Sequence, residues 1–519
     1  PVTRADLFAT ARHWRDHDPD PSTRAVLTDL IDAAVTGDVA AADDLAARFH
    51  GPLTFGTAGL RGEVGAGESR MNVAVVTRAT AGVARYLLDT VGPDARVVVG
   101  CDARHGSAEF FDAATEVLAA QGLTVFTLPP RLPTPVTAHA TRALDCDAGV
   151  MITASHNPPA DNGYKVYLGG RVTDDAGRGV QIISPADADI ADRIAQAPPA
   201  DEVSRDPAAV IHLDDETVRT YVERTARLRP GGGPSPVRVV LTPMHGVGGT
   251  VARDVLQAAG IGDVHVVAAQ SAPDPDFPTV PFPNPEEPGA LDLALDLARD
   301  VDADVVIALD PDADRCSVAT VGPDGQWRQL TGDEIGALLG EQAARDATRP
   351  GDTLACSIVS SRLLGRVAAD HGLRFAATLT GFKWIARTSS LRFGYEEAIG
   401  YCTDPDTVRD KDGIGAMVRV ISLVEELGRD GRTLTDELDR LARRHGLHAT
   451  APLTIRVEDT ALIDEMMQRL RSSPIERLAG SPVVENRDLA GGSADLPPTD
   501  GVLVRTAADD RVVVRPSGT

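Results

Sequence analysis

Asp310-Pro311-Asp312-Ala313-Asp314-Arg315 places three carboxylates at alternate positions directly after the apolar run 305–309. In an extended segment alternate residues point the same way, so the three carboxylates aim to one side. Such a group repels itself unless a hard cation lies within it, and an all-oxygen donor set suits Mg2+. A calcium EF-hand is excluded, because Arg315 stands at its glycine position and Val321 where its bidentate glutamate belongs. The alternative is an acidic surface turn.

Thr153-Ala154-Ser155-His156-Asn157-Pro158 follows a second apolar run, 148–152, and sets a hydroxyl, an imidazole and an amide side by side. Ser155 is a candidate nucleophile outside any G-x-S-x-G elbow. Beside an Mg2+ site, a serine carrying a phosphoryl group would complete the metal shell with its oxygens. A turn capped by Ser155 or Asn157 is the alternative.

Further segments suit an anion or a sugar. Gly56-Thr57-Ala58-Gly59-Leu60-Arg61-Gly62 offers flexible backbone NH groups and a guanidinium, without the P-loop spacing. Arg515-Pro516-Ser517-Gly518-Thr519 offers a guanidinium and two hydroxyls in a turn. Glu396 and Glu397 lie in the glycine-bounded run 394–400 and can accept hydrogen bonds from sugar hydroxyls. Gly246-Val247-Gly248 has Val251 where a dinucleotide fingerprint needs its third glycine, which argues against NAD. Only three lysines occur, Lys165, Lys383 and Lys411, each in a polar, glycine-bearing segment. Lysine, unlike arginine, is a compact charge that can release its proton. All three are expected to face one anionic ligand.

The elements that must position these groups repeat one pattern of strand, turn, helix and strand. It occurs at 97–126, at 237–267 and at 354–377, with helices predicted over 110–122, 250–260 and 362–372. Strands alternating with helices at this length imply parallel or mixed sheets. After His445-Gly446 the pattern changes: strands are predicted at 453–457, 501–504 and 511–514, with a helix over 461–470. The expected architecture is four α/β domains: three related units with mixed sheets, 1–205, 206–322 and 323–446, then a smaller α+β unit, 447–519. Pro- and Gly-rich runs at 229–234 and 281–288 read as loops.

A chain of 519 residues with net charge −25 is unsuited to nonspecific attraction to nucleic acid or an anionic membrane. No unbroken apolar run reaches the length of a membrane span, and the first residues lack a signal pattern. The five cysteines are widely spaced without C-x-x-C, so neither a zinc site nor a disulfide framework is supported. A cytoplasmic location is the expectation. Oligomeric state leaves no mark in the sequence.

Taken together, the motifs at 56–62, 153–158, 310–315, 394–400 and 515–519 resemble, in order, those of the α-D-phosphohexomutase superfamily, in particular its phosphoglucomutase branch. The resemblance implies four domains about a central cleft and an intramolecular phosphotransferase with a phosphosugar substrate. It implies that Ser155 carries the phosphoryl group and binds Mg2+ together with Asp310, Asp312 and Asp314. Arg61 would neutralise developing charge, and Lys165, or His156 in its place, would move the proton. Glu396 would hold sugar hydroxyls. Arg515, Ser517, Gly518 and Thr519 would grip the nonreacting phosphate, with Thr57, Arg315, Lys383 and Lys411 adding contacts. The implied reaction converts a hexose 1-phosphate into its 6-phosphate through a hexose 1,6-bisphosphate, which also serves as primer, with glucose as the expected hexose.

Two departures stand out. Ala398 occupies the position where many members carry serine, which opens mannose and pentose phosphates as substrates. The family also continues past the Arg-Pro-Ser-Gly-Thr turn, so the last domain is expected to be incomplete at Thr519. A metal-dependent phosphomonoesterase and a noncatalytic sugar-phosphate-binding protein are the rival readings.

Overall fold

Arg96–Cys101, Thr124–Thr127 and Ala148–Ile152 are runs of small and β-branched residues, and they form the parallel centre of a mixed seven-stranded sheet. The computed structural model describes residues 4–56, 58–455, 457, 461–493 and 496–516. Asp161–Leu168 lies antiparallel to Ala148–Ile152, and Leu60–Glu63 lies antiparallel to Asp161–Leu168 at one edge. Residues 60–62, part of a segment expected as a flexible loop, thus lie in an ordered edge strand. Gly59 explains the fit: its φ is +76°, and a methyl group there would lie 1.8 Å from the Tyr164 carbonyl oxygen.

Alternation along the strands divides the core between two faces. Val97 and Val99 pack with Val83, Leu87, Phe110 and Leu118, while Val98 joins Val136 on the opposite face. Helices therefore cover both faces. The second sheet repeats this, with Val305, Ile307 and Leu309 facing Val251 and Val255, and Val306 and Ala308 facing Ala294 and Ala298. In the third sheet Leu354 and Cys356 face Leu364 and Val367, and Ala355 faces Phe382 and Ile385. One apolar cluster runs through an inner face of all three sheets, which ties their loops together in space.

The three predicted repeats are present, with helices Ser107–Ala120, Gly248–Ala258 and Leu363–Asp370. The second and third sheets are mixed, like the first. The expected boundary at 205/206 cuts the first sheet, because Ile211–His212 pairs in parallel with Thr124–Thr127. The last sheet, entirely antiparallel, contains the expected Val502–Thr506 and Arg511–Val514, together with Ser481–Asp488. Its helix Ala461–Ser472 supplies Met467 to one face, and Leu503 on the other packs against Ile358 of the third unit. Residues 453–455 and 457 form no strand, contrary to expectation. Their alternating side chains have no strand paired beside them, and Leu453 and Ile455 are exposed.

Three helices precede the first sheet: Arg4–Asp16, Pro21–Val35 and Val39–Arg48. The second and third are capped by Asp20 and Asp38, which accept from Ser22 N and Ala41 N. Leu27, Ile31, Leu45 and Phe49 form their own small core.

Candidate active site

Two loops meet at the centre. One follows Ala148–Ile152 and carries Ser155; the other follows Val305–Leu309 and carries the three aspartates. Ser155 Oγ donates to Asp310 Oδ2 at 2.7 Å across the junction of the first two sheets. Ser155 has φ +51°, a left-handed conformation rare outside glycine, and Thr153 Oγ1 accepts from its backbone NH at 2.9 Å. Residues held this way concentrate at functional sites, because the surroundings must over-determine them.

The carboxylates of Asp310, Asp312 and Asp314 come within 4.8 Å of one another, and all three are buried. Lys165 Nζ donates to Asp312 Oδ2 at 2.9 Å and to Asp314 Oδ2 at 3.1 Å. Lys411 Nζ lies 3.3 Å from Asp314 Oδ2, and Thr134 Oγ1 donates to Asp312 Oδ2 at 2.6 Å. The other oxygens, Asp312 Oδ1 and Asp314 Oδ1, are buried without a hydrogen-bond partner. A buried carboxylate oxygen left bare is costly, and a divalent cation is the partner that three converging carboxylates accommodate. The residues present therefore fit a metal ion.

Burial and the charges of Asp312 and Asp314 push Asp310 well above the ordinary carboxylate range. Burial opposes charge on Asp312 too, but Lys165 and Thr134 outweigh it and hold this group low. Asp314 is also held low, where Lys165, Lys411 and Arg315 together overcome burial and Asp312. Burial works against the Lys165 ammonium, yet Asp312 and Asp314 raise it above its usual value. Burial, Arg315 and Arg61 keep His156 far below its usual range, and its Nδ1 lies 3.3 Å from Ser155 Oγ.

Arg61 is drawn in beside the serine loop, where its Nη1 donates to Asn157 Oδ1 at 3.2 Å. Arg315 N donates to Asp310 Oδ1 at 3.0 Å, and its backbone bridges to Gly400 beyond Glu396. Burial raises Glu396, against the pull of Lys411 and Arg315. Lys383 sits on the short helix Phe382–Ile385, where burial lowers it, while Lys411 Nζ lies 5.6 Å from the Phe382 ring centroid. Two of the three lysines thus meet the carboxylates directly, and the third stands in the neighbouring element. Arg515 is exposed and pairs with none of the cluster's carboxylates. Thr57, Ser517, Gly518 and Thr519 lie outside the described residues.

Sequence reasoning missed Arg104. Its guanidinium donates to the carbonyls of Ser155, Asn157, Pro158 and Asp161 at 2.7 to 3.1 Å, clasping the serine loop from behind. Its place after the strand, in Asp102-Ala103-Arg104-His105-Gly106, was the available signal. Lysine cannot reproduce that planar fork, so Arg104→Lys is expected to cost about 2–3 kcal/mol in denaturant unfolding. Thr134 was missed as well, because only the fold brings the start of helix Thr134–Ala143 against Asp312.

Three mixed α/β sheets and a smaller antiparallel unit, with serine and aspartate loops meeting between the first two, define an enzyme of the phosphohexomutase architecture. The three phosphoglucomutase/phosphomannomutase alpha/beta/alpha domain models match in order: domain I at 52–199, domain II at 220–322 and domain III at 331–445. The chain belongs to the phosphoglucomutase/phosphomannomutase family. A probable phosphomannomutase of Haemophilus influenzae is 42% identical, covering 86% of this chain and 91% of that one. A phosphopentomutase of Mus musculus is 33% identical over 98% of this chain and 86% of its own, and a phosphoglucomutase of Staphylococcus epidermidis 33% over 90% and 89%. The fold is shared with parafusin from Paramecium, at TM-score 0.66 and 19% identity, covering 90% of this chain and 88% of that one. Among the described residues no helix is long and apolar enough to cross a membrane.

Proposed function

We propose that this mutase interconverts an aldose 1-phosphate and its terminal phosphate, with glucose as the sugar, through a phosphorylated Ser155. The observation that carries the reading is Ser155 Oγ hydrogen-bonded to Asp310 within a cluster whose Asp312 Oδ1 and Asp314 Oδ1 accept no hydrogen bond. The phosphoryl group of Ser155 passes to the free terminal hydroxyl of the sugar phosphate: the serine O–P bond breaks and a sugar O–P bond forms. The resulting 1,6-bisphosphate turns over and returns its other phosphoryl group to Ser155, which is also how added bisphosphate primes the enzyme. Mg2+ held by Asp310, Asp312, Asp314 and the phosphoserine would supply positive charge for the transferring group, the main demand of such chemistry.

Arg61, whose Nη1 donates to Asn157 Oδ1, adds a guanidinium beside the same loop. Lys165 moves the proton at the reacting oxygens, with His156 the alternate. Glu396, Arg315, Lys383 and Lys411 contact the sugar phosphate, and the 515–519 turn, with Thr57, supports the phosphate that stays. Lys165→Arg keeps the charge but not the compact ammonium seated between Asp312 and Asp314, so kcat is expected to fall by about 10^2 to 10^4-fold. Full turnover with an unchanged pH profile would remove Lys165 from this role.

One observation favours pentose as a second reading: Ala398 supplies no hydroxyl near Glu396, and relatives at comparable identity are named phosphopentomutases. A coupled assay of the 1-phosphates of glucose, mannose and ribose, with Mg2+ and the matching bisphosphate, decides. The highest kcat/KM is expected for glucose 1-phosphate; a higher value for ribose 1-phosphate transfers the proposal to the pentose. Release of inorganic phosphate without isomerisation would instead make the protein a phosphomonoesterase.

A further inference from the structure

The aspartate turn, 310–315, is gripped by backbone from two neighbouring segments. Val247 N donates to Pro311 O at 2.8 Å, and Gly413 N, at the start of helix Gly413–Arg429, donates to Ala313 O at 3.2 Å. A methyl group at Gly246 would lie 2.3 Å from Pro311 O and 2.4 Å from its Cα. At Gly413 it would lie 2.3 Å from Arg315 O and 2.8 Å from Ala313 O, and at Gly248 2.7 Å from Ala313 Cβ. None of these three glycines has a positive φ. Close approach, rather than backbone freedom, is therefore what their lack of a side chain permits. The gripped turn contains a left-handed residue of its own, Ala313 at φ +56°.

We propose that Gly246 and Gly413 are positioning residues for the acidic cluster. By letting two backbones close on the turn, they fix the spacing of Asp310, Asp312 and Asp314. They thereby set the affinity for a divalent cation while touching neither the cation nor the substrate. This rests on reading the three carboxylates as metal ligands. Residues behind a metal shell commonly change affinity by about 10- to 100-fold when altered.

The test is Mn2+ binding to the full chain, followed by electron paramagnetic resonance, together with the Mg2+ dependence of turnover. Gly246→Ala and Gly413→Ala are each expected to weaken Mn2+ binding about tenfold and to raise half-saturating Mg2+ equally, with kcat recovered at saturating Mg2+. Gly262→Ala, where a methyl meets nothing within 4 Å, is expected to change neither. If those two variants do not fold, Gly248→Ala decides, because a methyl there meets side-chain atoms alone, Ala313 Cβ at 2.7 Å and Leu309 Cδ1 at 3.1 Å, and no backbone. Variants that lose thermal stability while their folded fraction binds Mn2+ like wild type would overturn the proposal. A wild-type chain that binds no Mn2+ would overturn the metal reading, and this inference with it.

Discussion

Ser155→Ala is expected to abolish phosphate incorporation from labelled glucose 1,6-bisphosphate and to lower kcat on the order of 10^4-fold or more, as loss of a covalent nucleophile does. The substitution removes one oxygen, the donor to Asp310 Oδ2 at 2.7 Å. The loop itself should persist. Arg104 holds it through the carbonyls of Ser155, Asn157, Pro158 and Asp161, and those bonds need no serine side chain. Left-handed φ at position 155 is only mildly harder for alanine, so the thermal midpoint should move little. The variant should also still bind Mn2+, since the carboxylates are untouched. A labelled protein with near-normal turnover would show that another residue carries the phosphoryl group. Unlabelled protein with near-normal turnover would favour direct transfer without a covalent enzyme.

The parts legible in the sequence were those encoded by local chemistry. Alternating aspartates after an apolar run predicted a converging cluster, and the structure gathers the carboxylates within 4.8 Å. Strand, helix and terminal glycine marked each βαβ unit, because periodicity and capping are local signals. What escaped was set by distant packing. Thr134 reaches Asp312 across 178 residues, and Asp410 accepts from Tyr167 OH and Gln181 Nε2 between the first and third sheets. Nothing in the sequence near Asp410 announces that junction. The leading helices show the opposite case: Asp20-Pro21 and Asp38 are local cap signals, and the helices Pro21–Val35 and Val39–Arg48 start where those signals stand. The lysines are the subtlest case. Rarity singled out all three, and the fold brings two of them, Lys165 and Lys411, to the protein's own carboxylates, with Lys383 on the helix Phe382–Ile385.

That pairing makes Asp314→Asn and Asp310→Asn an informative contrast. Asp314 is the shared partner of Lys165 and Lys411, and Arg315 Nε lies 3.8 Å from its other oxygen. Neutralising it leaves two buried ammonium groups short of a counter-charge. Breaking one partner from a buried ion pair costs about 3–5 kcal/mol, and here Asp312 and Asp410 remain to share the load, so the lower end is expected. Asp310 has no lysine. Its donors are the Arg315 backbone NH, on Oδ1, and Ser155 Oγ, on Oδ2; an asparagine keeps the first with its carbonyl oxygen, and its amide NH2 can donate to Ser155 Oγ, which accepts as readily as it donates. Asp310→Asn should therefore leave metal-free stability within about 1 kcal/mol of wild type. Both substitutions remove one carboxylate from the metal set, and both should lower kcat by about 10^3-fold at ordinary Mg2+. Denaturant unfolding in EDTA, alongside turnover across an Mg2+ titration, separates the two effects. Equal losses of metal-free stability would mean that the lysines do not depend on Asp314. If turnover survived in both, the charge needed at phosphoryl transfer would have to come from Arg61, Arg315 and the lysines instead of from a bound cation.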